Sequence, residues 1–229
     1  MQNKIPKIIH YCWFGKNKMP KLNQRCIESW KKVLPDYELK LWNEDNFDIN
    51  INQFVKEAYE MKKWAFVTDY VRLYVLYNYG GIYMDTDVEV LKRLDPFLTH
   101  SAFSGFENQY YISTGIMGSE KGNKWISYLL DYYNDKRFIL ENGLNTIPNT
   151  KIITELSKKY GLKTNNKYQV LKGDVHIYPS EYFCPVMFNS FKKNITRNTY
   201  TLHHFSGSWL DSRSKMKVMI KRLLSLLEF

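Results

Sequence analysis

The stretch "YNYGGIYMDTDVEVL" (residues 77–91) places two carboxylates, Asp85 and Asp87, one residue apart behind a Gly80-Gly81 break and inside an aromatic, β-branched run. In an extended strand, residues i and i+2 share a face, so Asp85 and Asp87 converge while Thr86 points away. A strand that stops near Asp85 leaves the pair at the carboxyl edge of a sheet, where open α/β sheets take their ligands. Two carboxylates there offer oxygen donors to Mg²⁺ or Mn²⁺. Taken alone, a D-x-D triplet reads more often as a solvated turn at the end of a strand.

The residues upstream shift that balance. In "WAFVTDYVRLYVLYNYGG" the helical period puts Asp69 and Arg72 on one face, flanked by Leu73 and Leu76. A charged pair beside an apolar stripe needs partners if it is buried. It serves either as an internal pin between helix and sheet or as a wall facing a polar ligand.

Further out, the chain alternates strands and helices. "KIPKIIHYCWFG" reads as a first strand entered at Pro6 and closed by Gly15, "KLNQRCIESWKKVLP" as a helix, and "YELKLWNE" as a second strand. One helical run extends over "INQFVKEAYEMKKWAFVTDYVRLYVLYNYGG", and "GGIYMDTDVEVL" is a single third strand. Helices follow in "NKWISYLLDYYND" and "NTKIITELSKKYG". The layout is α/β with a mostly parallel sheet. It forms one domain over residues 1–211, followed by a basic amphipathic helix over 212–229.

Composition narrows the partners. The 229 residues are 44% hydrophobic and 16% aromatic, ample for a packed core and unlike a disordered chain. No window reaches the roughly 18 unbroken apolar residues of a membrane span, and the first residues lack the apolar region of a signal peptide. Cys12, Cys26 and Cys184 are odd in number and widely spaced, which fits reduced thiols in a cytoplasmic protein. A net charge of +10 favours anionic partners. No zinc finger, RNP motif or helix-turn-helix accompanies the charge, so nucleic acid ranks below phosphorylated small molecules and acidic membrane surfaces.

The pattern D-x-x-R-x-x-x-L-x-x-x-G-G-I-Y-x-D-x-D, from Asp69 to Asp87, resembles the DXD sugar-binding region of glycosyltransferase family 32. That family includes yeast mannosyltransferases and bacterial capsular polysaccharide transferases, and the glucosylating domains of clostridial toxins are more distant. "IPKIIHYCWFG" is similar to the family's first strand and "HHFSGSW" to its closing motif. The resemblance implies a GT-A fold with a Rossmann-like sheet flanked by helices. It implies a metal-dependent transferase that moves a hexose or N-acetylhexosamine from a UDP- or GDP-sugar to a glycan or polyprenyl-diphosphate-linked acceptor. Capsule, O-antigen or exopolysaccharide synthesis is the implied setting, with retention of configuration.

The same resemblance assigns residues. Asp69, Arg72, Asp85 and Asp87 are the catalytic set, and Asp87 is the principal metal ligand. His204 is the third ligand in preference to its neighbour His203, because its spacing to Gly207 and Trp209 fits the family better. An imidazole ligand tilts the choice from Mg²⁺ to Mn²⁺. The donor side comprises Trp13 against the nucleobase, Gly81, Tyr83, Gly115 under the sugar, the hydroxyls of Ser206 and Ser208, and Trp209 as a cover. Core packing is an equal reading for Trp13. Relatives carry a Gly-Pro where this chain has Ile147-Pro148, so no acceptor residue is assigned, and the resemblance supplies no agreed nucleophile from which to name a catalytic base.

At the end of the chain, Met216, Met219 or Ile220, Leu223, Leu226 and Leu227 form a stripe bordered by Lys215, Lys217, Lys221 and Arg222. It either packs on the domain or lies peripherally on the anionic inner face of the cytoplasmic membrane. Flotation with anionic liposomes separates the two. Rival functions are a metal phosphohydrolase, a non-catalytic sugar-nucleotide or carbohydrate-binding module, and a toxin-like protein-modifying transferase.

Overall fold

The computed structural model describes residues 2–186, 193–207 and 216–220. In chain order the elements are β1 (Ile8–Cys12), α1 (Lys21–Val33), β2 (Glu38–Trp42), α2 (Gln53–Glu60), α3 (Trp64–Tyr79), β3 (Gly81–Met84) and β4 (Val88–Val90). Then come β5 (Ala102–Gly105), β6 (Ile116–Ser119), α4 (Lys124–Asp131), β7 (Ile139–Leu140), β8 (Gly143–Leu144) and α5 (Asn149–Ser157). The series closes with β9 (Gln169–Leu171), β10 (Val175–Tyr178), α6 (Ser180–Phe183) and β11 (Thr201–His203).

Seven strands form the central sheet in the order β2-β1-β3-β6-β5-β10-β9. Strands β2, β1, β3, β5 and β10 run one way, while β6 and β9 run against them. The expected mostly parallel α/β sheet is therefore present. Alternation along β3 shows how the layers form: Tyr83 joins the core shared with α2, α3 and α4, whereas Ile82 and Met84 join the core shared with α1 and β4. Helix α3 is apolar on most sides because it is buried on most sides, with Val67, Val71, Leu73, Val75 and Leu76 fully covered.

Two sequence readings change. The run over residues 51–81 is two helices, broken at Lys62, which takes a left-handed φ of 55°. The run over residues 80–91 is two strands, because Asp85-Thr86-Asp87 form a turn closed by Val88 N–H donating to Asp85 C=O at 3.0 Å. Helix α1 fixes this turn. Asn23 Nδ2 donates to Thr86 Oγ1 at 2.8 Å, and Trp30 Nε1 donates to the Val88 carbonyl at 2.6 Å. Strand β4 leaves the main sheet and pairs antiparallel with β11. Among the described residues, no helix is long and apolar enough to cross a membrane. Of the C-terminal stripe, Met216, Met219 and Ile220 are exposed on a helical segment, and residues 221–229 lie outside the described residues.

The Gly80-Gly81 break has a steric cause. Both residues have positive φ, 68° and 102°, and a Cβ on Gly81 would stand 2.7 Å from the Ile8 carbonyl oxygen and 3.1 Å from His10 Nε2. Gly81 thus opens β3 at the end away from the carboxylates. Its role there is a close approach of backbone to β1, not the donor contact expected from the sequence.

His10 occupies this junction with no exposure. Trp42 Nε1 donates to His10 Nδ1 at 3.0 Å, so His10 Nε2–H donates to the Gly80 carbonyl at 2.8 Å and the ring is neutral. Burial, helped by Lys40, lowers its pKa from 6.5 to about 4 against the pull of the Gly80 carbonyl. Between those values the unfolded chain binds a proton that the folded chain does not, so stability falls as pH drops from 6.5 towards 4. The full effect is on the order of 3 kcal/mol. Urea unfolding across this range is expected to show a shallower slope for His10→Gln than for the wild type, His100 being lowered over the same range; identical profiles would contradict it.

Candidate functional site

The carboxyl ends of β1 and β3 open towards the turn at Asp85. Trp13 follows β1 directly, half-exposed and outside both core clusters, with its ring N–H donated to the Asn17 carbonyl at 2.7 Å. The core-packing reading of Trp13 is therefore not what the structure shows.

Asp85 is held from two sides. Tyr83, 1% exposed, donates its hydroxyl to Asp85 Oδ1 at 2.7 Å, and Arg72 Nη1 stands 3.5 Å from the same oxygen. Tyr83 was expected at the donor; it is instead a buried strut beneath Asp85, with the Arg72 guanidinium 4.7 Å above its ring. The Asp85 N–H donates to the Gly115 carbonyl at 2.8 Å, which ties the turn to β6.

Arg72 is buried and satisfied. It donates to the Thr68 carbonyl at 3.4 Å, to the Thr114 carbonyl, and to Asp69 Oδ1 at 3.0 Å. Asn149, in the first turn of α5, donates to the same Asp69 oxygen at 3.1 Å and is itself held by the Tyr133 hydroxyl at 3.2 Å. Burial raises the Asp69 pKa; Arg72 opposes it, the Asp85 charge adds to it, and Asn149 opposes it. A single guanidinium therefore serves two carboxylates. Asp69 and Arg72 are both buried, and their partners are those of the internal pin between helix and sheet. Asn149 was not anticipated from the sequence. Its signal was the Pro-Asn start of a helix, just after the departure at Ile147-Pro148.

Asp87 is 7% exposed. Its Oδ2 accepts the Ser206 N–H at 2.7 Å, and its Oδ1 lies 3.3 Å from His203 Nε2. Burial disfavours its charge, but His203 and both the amide and hydroxyl of Ser206 prevail and hold the carboxyl well below its usual range. Ser206, expected at the donor phosphates, here locks a carboxylate.

The adjacent histidines separate by strand phase. In β11, His203 pairs with Val88 and turns inward, while His204 turns outward to place Nε2 2.9 Å from Glu89 Oε2. The preference for His204 is thus corrected to His203: ligand atoms of Asp85, Asp87 and His203 all lie within 4.8 Å of one another. Burial pulls the His203 pKa down, Asp87 pushes it up, and the net is well above the ordinary value. Among the described residues its Nδ1 is buried without a hydrogen-bond partner.

Gly115 completes the cradle. A Cβ there would stand 2.9 Å from His203 Nδ1 and 3.3 Å from Asp85 Oδ2, so only glycine leaves that space open. An orphaned imidazole nitrogen, two carboxylates and a glycine-cleared gap fit a divalent cation. Glu107, half-buried beyond Gly115, also responds to His203 and Asp85 and was not assigned from the sequence. It is the one charged residue in "SAFSGFENQYYISTG", and that isolation was its signal. Ser208 and Trp209 lie outside the described residues.

Comparison with known proteins follows the same line. Residues 20–104 match the family described as glycosyltransferase sugar-binding region containing DXD motif. Inositol phosphoceramide mannosyltransferase 3 of Schizosaccharomyces pombe is 32% identical over 130 residues, 53% of this chain and 35% of that protein. Mannosyl phosphorylinositol ceramide synthase SUR1 of Saccharomyces cerevisiae is 32% identical over 237 residues, 96% of this chain and 56% of that protein. The chain thus spans between about a third and just over half the length of these two curated relatives. The solved structure of PaToxG glycosyltransferase shares the fold, with a TM-score of 0.52 at 20% identity over 68% of each chain.

Proposed function

On the premise that residues 20–104 are a DXD-containing glycosyltransferase sugar-binding region, we propose that this protein is a metal-dependent glycosyltransferase using a nucleotide diphosphate sugar. The convergence of Asp85, Asp87 and His203 around the gap at Gly115 carries this reading. These three residues would hold the cation, and the imidazole favours Mn²⁺ over Mg²⁺. When bound, the cation supplies positive charge to the diphosphate as it leaves.

The chain's own contribution is preorganisation. Asp87 is fixed by Ser206 and His203, and Asp85 by Tyr83 and Arg72, so neither carboxylate has to reorient when a ligand arrives. The Arg72-Asp69-Asn149 frame holds the Thr114-Gly115 backbone against the turn. Trp13, at the end of β1, would offer a flat face to the nucleobase.

The two relatives are named for mannose transfer and for inositol phosphoceramide products. Those names support a hexose donor, with mannose the first to test, and a lipid-borne acceptor. They lend no support to the capsule, O-antigen or exopolysaccharide setting. Retention of configuration belongs to the proposal through family resemblance.

The test is a panel of UDP- and GDP-hexoses incubated with the protein and Mn²⁺ or EDTA, reading released nucleoside diphosphate. Metal-dependent release from at least one donor is expected. No release from any donor would overturn the reading.

A further inference from the structure

Glu107 stands beside the metal cradle without belonging to it. Strand β5 ends at Gly105 and continues as a short hairpin in which Phe106 bridges Ile112 and Glu107 N–H donates to the Tyr111 carbonyl at 2.8 Å. The turn is capped by Asn108 Oδ1, which accepts the N–H groups of Tyr110 and Tyr111 at 2.8 and 3.1 Å. Phe106 and Ile112 are fully buried in the core shared with α3. Side chains alternate along a strand, so Glu107 projects to the opposite face, the one shared with Gly105. That face abuts Phe183: a Cβ on Gly105 would stand 2.7 Å from its ring.

On that face Cys184, next to Phe183, meets Ser113 Oγ at 3.3 Å, and Ser113 Oγ accepts the Gly115 N–H at 3.2 Å, so the Glu107 side of the hairpin is the Gly115 side, within electrostatic reach of His203 and Asp85. Burial, the largest influence, raises its pKa, His203 opposes this and Asp85 adds to it. Yet Glu107 is not part of the Asp85-Asp87-His203 cluster. Among the described residues its carboxylate makes no hydrogen bond or ion pair. A half-buried carboxylate without a partner carries a desolvation cost that a ligand's hydrogen bond would offset.

The sheet order says which ligand. The cradle lies at the end of β3, with β1 and Trp13 on one side and β6 and β5 on the other. With the nucleotide over β1 and its diphosphate at Asp85 and Asp87, the sugar and the group that attacks it lie over β6 and β5. On the reading of the site given above, we propose that Glu107 is the acceptor-binding carboxylate: it accepts a hydrogen bond from the attacking hydroxyl of the acceptor and orients that oxygen towards the transferred sugar.

The test compares wild type with Glu107→Gln, which keeps side-chain size but removes the charge. Mn²⁺ affinity in the presence of UDP or GDP is read by calorimetry. Nucleotide release to water, and its stimulation by methyl glycosides of mannose, glucose and galactose, is read kinetically. Metal affinity and release to water are expected to stay within about two-fold, while acceptor-stimulated transfer falls roughly 10- to 100-fold, the worth of a hydrogen bond to a charged group. The loss should appear chiefly in acceptor KM, with Glu107→Asp intermediate. Loss of metal affinity would make Glu107 a ligand of the cation, parallel loss of both releases would make it a donor contact, and unchanged transfer would give it no role. Each overturns the proposal. A wild type stimulated by no glycoside counts against a carbohydrate hydroxyl as its partner. A wild type that releases nucleotide from no donor removes the transferase premise instead, which separates the two failures.

Discussion

Asp87→Asn is expected to lower nucleotide-sugar turnover by about 10³-fold or more while leaving the fold in place, because it removes a charge from the cradle without changing its shape. The asparagine oxygen still accepts the Ser206 N–H that Asp87 Oδ2 accepts at 2.7 Å. What it lacks is the negative charge that offsets a divalent cation held jointly with His203, whose Nε2 lies 3.3 Å from Asp87 Oδ1. A melting temperature near that of the wild type, with activity within ten-fold of it, would contradict the role given to Asp87.

The second large effect is on stability. Arg72→Leu leaves Asp69 buried with only Asn149 as a partner, and it removes the donor to the Thr114 carbonyl. Breaking one side of a buried ion pair costs about 3–5 kcal/mol, because the remaining charge has neither water nor a counterion. At this chain length that corresponds to a fall of roughly 10 °C in melting temperature. Replacing Asp69 as well, in Asp69→Asn/Arg72→Leu, should recover part of the loss, and the double-mutant cycle measures how much. A loss below about 1 kcal/mol for Arg72→Leu alone would show that the pair does not act as the pin described.

Much of this site was legible in the sequence because its parts lie close together along the chain. Asp69 and Arg72 share a helical face, Gly80-Gly81 mark a stop, and Asp85 and Asp87 follow it within one supersecondary unit. The turn reading of the D-x-D triplet holds, since Asp85-Thr86-Asp87 form a turn at the end of a strand, and that turn brings the carboxylates together. What the sequence hid depends on long-range pairing. His203 faces the cradle and His204 does not because β11 pairs with β4 in one phase, and a one-residue slip would exchange them. No local motif encodes that phase. Gly81 and Tyr83 were assigned to a ligand because they lie within the motif, yet the first makes room for β1 and the second supports Asp85 from beneath. Asn149 and Glu107 enter from segments far along the chain, where tertiary packing decides which polar side chain reaches the site.

The central claim is that Asp85, Asp87 and His203 form one cation-binding centre. Calorimetric titration of Mn²⁺ into the wild type, His203→Gln and His204→Gln, with a nucleoside diphosphate present, tests it most directly. Tight binding is predicted for the wild type and His204→Gln, and a loss of at least ten-fold for His203→Gln, in line with the removal of a metal-site group. Equal binding by all three, or a loss confined to His204→Gln, would contradict it.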